Sequence, residues 1–397
     1  MLTRVSFQGP APQLGGRNDQ LRRHNLALVL RRVHLAPATR SELTRESGLN
    51  RSTIAALVAE LQERRLVVEE EPSGNGAVGR PSPLVRPSDV PVAIAVNPEV
   101  DAVTVALVRL GGRVLARRRV PFDARPSVGE AADATVDAVR RMLAADPGEH
   151  QVAGAGVAVP GIVRRSDGVV RLAPHLGWRD EPVAERFAAA LGQPVAVAND
   201  GALGARAEWQ FGAGRGVVDL VFLNGGASGI GGGVIAGGVP IEGSTGHAGE
   251  FGHVTVRRGG GLDTIGARGT LESEVRRDSL LSVLGLTRAD QDQLEAALTA
   301  DRSDAVRAEV RRQVDVLAAA IGDAVAVMNP ARVVLGGFLG ALAAAAPTRL
   351  RREVALRVLP TLGETVDVRR AELGSDLLLI GAAEPAFARL LASGPTV

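Results

Sequence analysis

The first 86 residues contain three short runs in which apolar positions recur with helical spacing. Within residues 19–35 the apolar side chains stand at i, i+3, i+4 and i+7, on one face of a helix. A second helix is predicted between Thr39, which has Glu42 in capping-box spacing, and Gly48. A third is predicted after Asn50, a suitable N-cap. The apolar positions of the first and third helices are Leu26, Val29, Leu30, Val33, Ile54, Leu57, Val58 and Leu61.

The second and third helices are joined by a turn of about four residues that contains glycine, which is the helix-turn-helix arrangement. Two apolar segments that follow, Leu66–Val68 and Leu84–Val85, predict the strands of a wing. Between them Arg80 stands in a Gly-Arg-Pro segment, an extended backbone that suits a minor groove. The pattern predicts a winged helix-turn-helix at residues 19–86, after a disordered tail at residues 1–18.

Polar side chains at this motif are candidates for DNA contacts. The first turn of the second helix in such a motif enters the major groove, and here it carries a guanidinium and two hydroxyls. Residues 1–86 hold thirteen arginines against eight acids, a net charge of +5. The alternative is a three-helix module that binds protein, but helix order, turn, wing and charge together favour DNA. The predicted DNA-binding residues are Ser41, Asn50, Arg51, Ser52, Thr53 and Arg80.

Beyond a proline-rich boundary the chain repeats one order of elements. Three strands, a helix, a strand, a helix and a strand are predicted from about residue 92, and a second round starts at about residue 218. This repetition predicts two related α/β lobes with a cleft between them. Ligands of α/β proteins gather at the carboxyl ends of strands and at lobe interfaces.

Composition excludes several classes of protein. The 397 residues are too many for one core. The chain has no cysteine, which excludes a disulfide framework and a thiolate metal site. Its apolar stretches are broken by charge, and its N-terminus lacks the apolar region of a secretory signal. We expect a soluble, cytoplasmic protein with no membrane partner.

The winged helix-turn-helix and the motifs GASGIGGGVIAGG, VAND, HAGEFGH and GARGTLE together resemble the ROK family of repressors and sugar kinases. The resemblance implies an α/β chain whose N-terminal winged helix-turn-helix precedes a two-lobed, actin-like (ribonuclease-H-like) fold of the ATPase type. It implies lobe 1 at residues 87–199, lobe 2 at residues 200–379, and a C-terminal helix at about residues 380–397 that packs back on lobe 1. Members with a winged helix are usually sugar-responsive regulators, and those without are usually sugar kinases.

The resemblance also implies a carbohydrate site. Kinases of the family use an Asn-Asp pair, a Glu-x-x-His and a later Glu, and all five stand here, together with the glycine of VPGIV. Carboxylates, an amide and an imidazole can satisfy pyranose hydroxyls, which both donate and accept. The alternative is a buried polar network that holds the lobes together. The predicted sugar-binding residues are Gly161, Asn199, Asp200, Glu250, His253 and Glu272.

The cysteine ligands of the family's zinc site are absent from this chain. Many members bind zinc through the same histidine and three cysteines, whose positions are taken here by Asp263, Ile265 and Thr270. Ile265 cannot coordinate a metal, so four-coordinate closure fails. We expect no metal and no cofactor, and a loop that is ordered by packing and hydrogen bonds.

The first phosphate-binding turn has changed as well. Where kinases of the family carry Asp-x-Gly-Gly-Thr, this chain has Asn97–Asp101, with two acids and a β-branched residue that oppose a triphosphate. The second phosphate loop, Ala227–Gly233, is nearly intact, but a tight hairpin also requires glycine. Asp200 is then only the vestigial position of the general base, and we expect no enzyme activity.

Three functions remain open. The main hypothesis is a transcriptional regulator, most simply a repressor, that binds operator DNA and a sugar or sugar derivative as a homodimer or homotetramer. The alternative is a ROK sugar kinase with an accessory DNA-binding domain. A third possibility is a regulator that has lost its ligand response and contacts another protein.

Overall fold

The structure, a computed structural model, describes residues 14–71, 82–363 and 366–393. It divides the chain into two compact units. The first comprises Met1–Pro91 with Phe387–Val397, and the second comprises Val92–Ala386. In the described part of the chain, no helix combines the length and the apolar character needed to cross a bilayer.

The limits of the first unit differ from those predicted for the winged domain. This unit reaches Pro91 rather than residue 86, and it includes a chain end that the resemblance assigns to lobe 1. Two contacts within the unit explain the difference. The ring of Phe387 lies edge-on to that of His34, with centroids 5.9 Å apart. The Arg31 Nε donates to Leu391 O at 2.6 Å.

Three helices surround the core of the first unit: α1 Leu14–Leu35, α2 Arg40–Ser47 and α3 Arg51–Glu63. The predicted apolar faces of α1 and α3 are confirmed, since all eight side chains are buried. The capping box at the start of α2 joins Thr39 and Glu42, and α2 ends at Gly48 with a φ of +70°.

Helix α1 begins earlier than predicted, within the segment that was expected to be a disordered tail. Residues 14–18 are helical, whereas a disordered tail was expected over residues 1–18. A helix that is already nucleated by its buried turns extends easily, because each further residue adds one hydrogen bond. Residues 1–13 lie outside the described residues.

A three-stranded antiparallel sheet completes the first unit: β1 Ala38–Thr39, β2 Val67–Glu70 and β3 Leu84–Pro87. The strand order is β1-β3-β2. The two predicted wing strands are confirmed. Strand β1 was not predicted, because two residues show no alternation to read. The loop between β2 and β3, with Arg80, lies outside the described residues.

Lobe 1 of the second unit is built on a five-stranded sheet. Its main elements are β4 Pro91–Pro98, β5 Ala102–Arg109, β6 Val114–Pro121, α4 Val128–Ala145, β7 Gln151–Val159, α5 Val183–Leu191 and β11 Val195–Asn199. Between β7 and α5 lies a small sheet of β8 Ile162–Arg164, β9 Val169–Ala173 and β10 Trp178–Glu181. The main sheet has the order β11-β7-β4-β5-β6, in which β4 to β6 form an antiparallel meander and β7 runs parallel to β11.

Lobe 2 repeats this design. Its elements are α6 Asp200–Phe211, β12 Leu220–Gly226, β13 Gly229–Ala236, β14 Val239–Ile241, α7 Leu271–Glu274, α8 Arg277–Val283, α9 Gln291–Ala300, α10 Asp304–Met328, β15 Arg332–Gly336, α11 Gly337–Ala345, α12 Pro347–Ala355, α13 Pro360–Gly363 and β16 Asp367–Arg370. The sheet order is β14-β13-β12-β15-β16, again a meander joined to two parallel strands. The predicted internal repeat is therefore confirmed.

The last helix, α14 Leu377–Ser393, follows a short 3₁₀ turn. Within the second unit it lies against β7 of lobe 1, where a Cβ on Gly156 would overlap the carbonyl of Ala382. Glycine is needed at this position because the two backbones are in direct contact.

Candidate functional site

One cavity in the second unit gathers the residues that the resemblance assigns to carbohydrate binding. It has a volume of about 270 Å³, and both lobes contribute to its wall. This volume lies near the lower end of the range of small-molecule pockets, so the cavity suits one small ligand. The predicted residues that line it are Gly161, Asn199, Asp200, Glu250, His253 and Glu272.

Lobe 1 contributes the turn after β7 and the end of β11. A Cβ on Gly161 would overlap the carbonyl of Leu172, so this turn requires glycine. The Asn199 Nδ2 donates to Gly161 O at 3.1 Å, and its Oδ1 accepts from Ala202 N at 3.0 Å as the N-cap of α6. Asn199 thus fixes both the turn and the helix, and one Nδ2–H remains for a ligand.

Asp200 is the first residue of α6, where the helix dipole favours a carboxylate. Its Oδ1 accepts from Gly201 N at 2.8 Å. Burial raises the pKa of Asp200 to about 7; the bond from Gly201 opposes this shift, and the charge of Glu250 adds to it. Near neutral pH, Asp200 can therefore donate to a ligand hydroxyl or accept from it.

A 3₁₀ turn, Phe251–His253, brings Glu250 and His253 to the same cavity. The turn lies so close to β13 that a Cβ on Gly252 would overlap the carbonyl of Ile230. Burial raises the pKa of Glu250, although the charges of nearby histidines oppose the shift. Among the described residues, no hydrogen bond engages the Glu250 carboxylate, which leaves both oxygens for a ligand.

Glu272, in the short helix α7, closes the lobe 2 side of the cavity. Its Oε1 accepts from Thr264 Oγ1 at 2.7 Å, and its Oε2 accepts weakly from Ile230 N at 3.5 Å. Gly229 makes room for the carboxylate: it has a φ of +130°, and a Cβ there would lie 2.5 Å from Glu272 Oε2.

The positions that correspond to zinc cysteines in relatives hold a hydrogen-bond network here. The side chain of Asp263 is 0% exposed. Its Oδ2 accepts from His253 Nδ1 at 2.9 Å and from Thr270 Oγ1 at 3.1 Å. Its Oδ1 accepts from the backbone of Ile265 at 3.1 Å and of Ala267 at 2.7 Å. Burial raises the pKa of Asp263, but these bonds, that of His253 foremost, outweigh burial and leave the pKa below its ordinary value.

These residues do not fit the zinc ion that the family implies. Atoms of His253, Asp263 and Glu272 lie within 4.8 Å of one another, close enough for a shared metal. However, both oxygens of Asp263 are already occupied by donors of the chain. Ile265 offers no ligand atom and is 56% exposed. A closed zinc site needs four ligands, so the loop is held by hydrogen bonds instead.

The altered phosphate turn, Asn97–Asp101, connects β4 to β5 and is absent from the cavity wall. Arg119 on β6 bridges its two acids, with Nε to Glu99 Oε2 at 3.1 Å and Nη2 to Asp101 Oδ1 at 2.7 Å. The side chain of Asp101 is 70% exposed. Water and Arg119 screen these two charges, so they oppose a phosphate less strongly than two unpaired, buried acids would.

The predicted DNA-contacting residues lie at the helix-turn-helix, apart from Arg80. Ser41 is exposed on α2. Asn50 caps α3, since its Oδ1 accepts from Thr53 N at 2.8 Å and from Ser52 Oγ at 2.7 Å. Arg51 and Ser52 are exposed at the first turn.

Arg51 differs from the other arginines of this unit. Most of the others contact a carboxylate or a carbonyl through their side chains, as Arg40 does at Glu69 and Arg22 does at Glu60. Among the described residues, no carboxylate or carbonyl pairs with the exposed guanidinium of Arg51, which is therefore available to a partner.

Sequence reasoning missed several residues of the cavity wall. Asn224, Ser228 and Thr264 also line it. The anchoring role of Asp263 was missed too, although a signal was present: Asp263 is followed by Gly266 in DTIGA, a pattern typical of turns in which aspartate accepts from the next backbone N–H groups.

Known proteins share both the sequence and the fold. The sequence profile of the ROK family matches residues 93–388. The xylose repressor of Bacillus spizizenii is 24% identical over 361 residues, or 90% of this chain and 93% of that protein. The glucokinase of Halalkalibacterium halodurans is 28% identical over 303 residues, or 70% of this chain and 90% of that protein. The crystal structure of a ROK family transcriptional regulator, a homologue of the E. coli MLC protein, covers 94% of this chain and 98% of its own, with a TM-score of 0.73 and 21% identity.

The fold and the cavity define a two-lobed, actin-like protein with an N-terminal winged helix-turn-helix. The chain belongs to the ROK family, whose profile matches well over half of its length. The match to the Bacillus repressor leaves about a tenth of this chain uncovered, and residues up to Pro91 make up more than a tenth. The match therefore extends into the first unit. Relatives include glucokinases as well as repressors, so membership alone does not separate regulation from phosphoryl transfer.

Proposed function

We propose that this chain is a sugar-responsive, DNA-binding transcriptional repressor. The observation that carries the proposal is the cavity, in which all five predicted polar side chains and the predicted glycine turn meet in about 270 Å³. The same chain has a winged helix-turn-helix, and xylose repressors align with nearly its whole length. Its partners would be operator DNA and a sugar or sugar derivative, and its place would be the cytoplasm.

The cavity suits hydroxyl groups because its polar atoms are only partly used by the protein. The Glu250 carboxylate is unengaged by donors of the described chain, and Asn199 keeps one N–H. Asp200 can donate or accept near neutral pH. A site of this kind rejects ligands that lack a hydroxyl, since its buried polar groups would then be unpaired.

We further propose that the bound sugar is not phosphorylated. The turn Asn97–Asp101 carries acids that are paired with Arg119, where kinases of the family have glycines and a magnesium aspartate. A triphosphate would have to displace these ion pairs. Asp200 would then contact a sugar hydroxyl, but no phosphoryl group would be present for that hydroxyl to attack.

The winged helix-turn-helix would read the operator through the first turn of α3, with Arg51 donating to phosphate or guanine. Asn50 and Thr53 would hold that turn in shape, and Ser41, Ser52 and Arg80 would add contacts to the backbone or the grooves. A homodimer or homotetramer would match a palindromic operator. Sugar binding would favour the protein state with the lower operator affinity.

A thermal-shift panel tests this function. The purified chain is heated with D-xylose, D-glucose, N-acetyl-D-glucosamine and sugar phosphates, each with and without Mg-ATP. A ligand at about a hundred times its dissociation constant adds roughly 2.7 kcal/mol, which raises Tm by several degrees. We expect one sugar to raise Tm and ATP to have no effect.

Matched variants sharpen the test. Glu250→Gln should abolish the sugar-induced shift, whereas Glu185→Gln, on an exposed face of α5, should keep it. A shift with ATP, or ADP released in step with the sugar, would instead support the kinase alternative. A Tm that no sugar changes, with or without ATP, would support a regulator without a ligand response.

A further inference from the structure

Asp263 is the centre of a network that joins three segments of the chain. Its four donors come from the 3₁₀ turn at His253, from the loop backbone at Ile265 and Ala267, and from Thr270 just before α7. Thr270 stands two residues before Glu272. The network therefore connects two cavity residues, His253 and Glu272.

The loop around Asp263 is itself closed by backbone hydrogen bonds. Asp263 N donates to Ala267 O at 2.8 Å, and Gly266 N donates to Asp263 O at 3.2 Å. The buried Glu274 secures the preceding residues, because its Oε1 accepts from Gly261 N at 2.9 Å. The position of the Asp263 carboxylate is thus set by the backbone rather than by a flexible surface contact.

This arrangement determines how His253 presents its ring. The Nδ1 of His253 must carry a proton to donate to the carboxylate of Asp263. In the neutral ring Nε2 is then an acceptor. His253 lines the cavity, and Nε2 is the ring nitrogen that the Asp263 network leaves for a ligand hydroxyl.

A carboxylate can do here what a metal ion does elsewhere. A metal with several ligands fixes the segments that supply them, and one anionic group with four donors fixes segments in the same way. Charge-assisted hydrogen bonds to a carboxylate whose side chain is 0% exposed are strong, and removing this acceptor would leave its four donors without their partner.

We propose that Asp263 is a positioning residue that takes the place of the family's metal: it fixes the Nδ1–H form of His253 and the start of α7, so that ligand binding needs no metal ion. Asp263 does not contact the ligand, since it is absent from the cavity wall. The part that concerns ligand affinity rests on the proposed function.

The first test observes the His253 ring directly. The full-length chain has six histidines, and ¹⁵N-histidine labelling gives their ring signals, with His253→Gln used to assign one of them. We expect His253 to be protonated on Nδ1, and Asp263→Asn to shift it toward the Nε2–H form, because a carboxamide cannot accept from all four donors. Asp301→Asn, which alters a loop aspartate that accepts from Ser303 N, should leave the signal unchanged. An unchanged His253 signal in Asp263→Asn would overturn the proposal.

The second test concerns metal. EDTA and added ZnCl₂ should leave both Tm and the His253 signal of the wild-type chain unchanged. A fall in Tm with EDTA that zinc reverses would show that a metal occupies this position, and would overturn the proposal.

The third test uses D-xylose and D-glucose as probes. If one of them raises the Tm of the wild type, Asp263→Asn should weaken its affinity on the order of tenfold, without removing the shift at saturation. A wild type that responds to no sugar would contradict the proposed function, while the ring signal would still decide the role of Asp263. A sugar response with unaltered affinity and ring signal in Asp263→Asn would contradict the role of Asp263 alone.

Discussion

Burial of Asp200 makes the fold itself sensitive to pH. An aspartate in the unfolded chain loses its proton near pH 4, whereas burial raises the pKa of folded Asp200 to about 7. The folded state therefore holds this proton more tightly, and the stability that it contributes is lost as the pH rises from about 4 through about 7.

We expect Asp200→Asn to be more stable than the wild type, by an amount that grows with pH. The carboxamide oxygen can still accept from Gly201 N, and no charge remains to be buried. The gain in Tm should increase by on the order of 5 °C between about pH 5 and about pH 8. Thermal melts at both pH values measure it, with Asp133→Asn on the exposed face of α4 as the control. A gain in Tm that is constant or that falls with pH would show that burial does not raise the pKa of Asp200.

At the scale of single residues, spacing predicted which side chains would meet but not how they are held. The Glu-x-x-His motif and the later glutamate indicated one site, and the structure brings Glu250, His253 and Glu272 to one cavity. Spacing also placed Asp263 at a position where zinc-binding members of the family have cysteine. It could not show that the Asp263 side chain is buried with four donors, because burial depends on how the loop folds back on Thr270.

The turn between β7 and β8 is the element that brings the lobe 1 backbone to the cavity. We expect Gly161→Ala to abolish the sugar-induced shift in Tm, because the new Cβ would overlap Leu172 O and push the turn away from Asn199. Gly129→Ala on α4 is the matched control, since a Cβ there meets nothing within 4 Å. It should be neutral, or more stable by up to about 1 kcal/mol. A normal sugar response in Gly161→Ala would exclude this turn from the site.

The first turn of α3 is the element that we assign to DNA. We expect Arg51→Ala to weaken binding of promoter DNA at least about tenfold and to reduce the slope of log K against log salt by about 1. Arg307→Ala, which removes an exposed arginine of α10, should change neither quantity. Fluorescence anisotropy at several salt concentrations measures both. Sugar affinity should be equal in all three proteins, and a parallel loss of sugar binding in Arg51→Ala would contradict separate sites.

Elements with strong periodicity were predicted from sequence, and those defined by tertiary contacts were not. The buried faces of α1 and α3 follow from helical spacing. Strand β1 escaped because it has only two residues and exists through pairing with β3. The helical start of α1 at Leu14 escaped because Gly15 and Gly16 are poor helix formers in isolation.

At the scale of the whole molecule, the repeated order of elements predicted two related lobes, and the two sheets have the same strand order. The division of the chain was harder to predict. Residues from Phe387 onward count with the first unit through contacts such as that of Phe387 with His34, and a sequence pattern carries no information on so distant a pairing.

We propose that one chain binds DNA and releases it on binding a sugar that it does not phosphorylate. The most direct measurement is the anisotropy of a labelled duplex from the promoter of its own gene, titrated with D-xylose, D-glucose and N-acetyl-D-glucosamine, with and without Mg-ATP. We expect one sugar to release the DNA, equally with and without ATP, with no ADP formed and with no release in Glu250→Gln. Release that requires ATP and forms ADP in step with the sugar, or DNA binding that no sugar changes, would contradict the proposal.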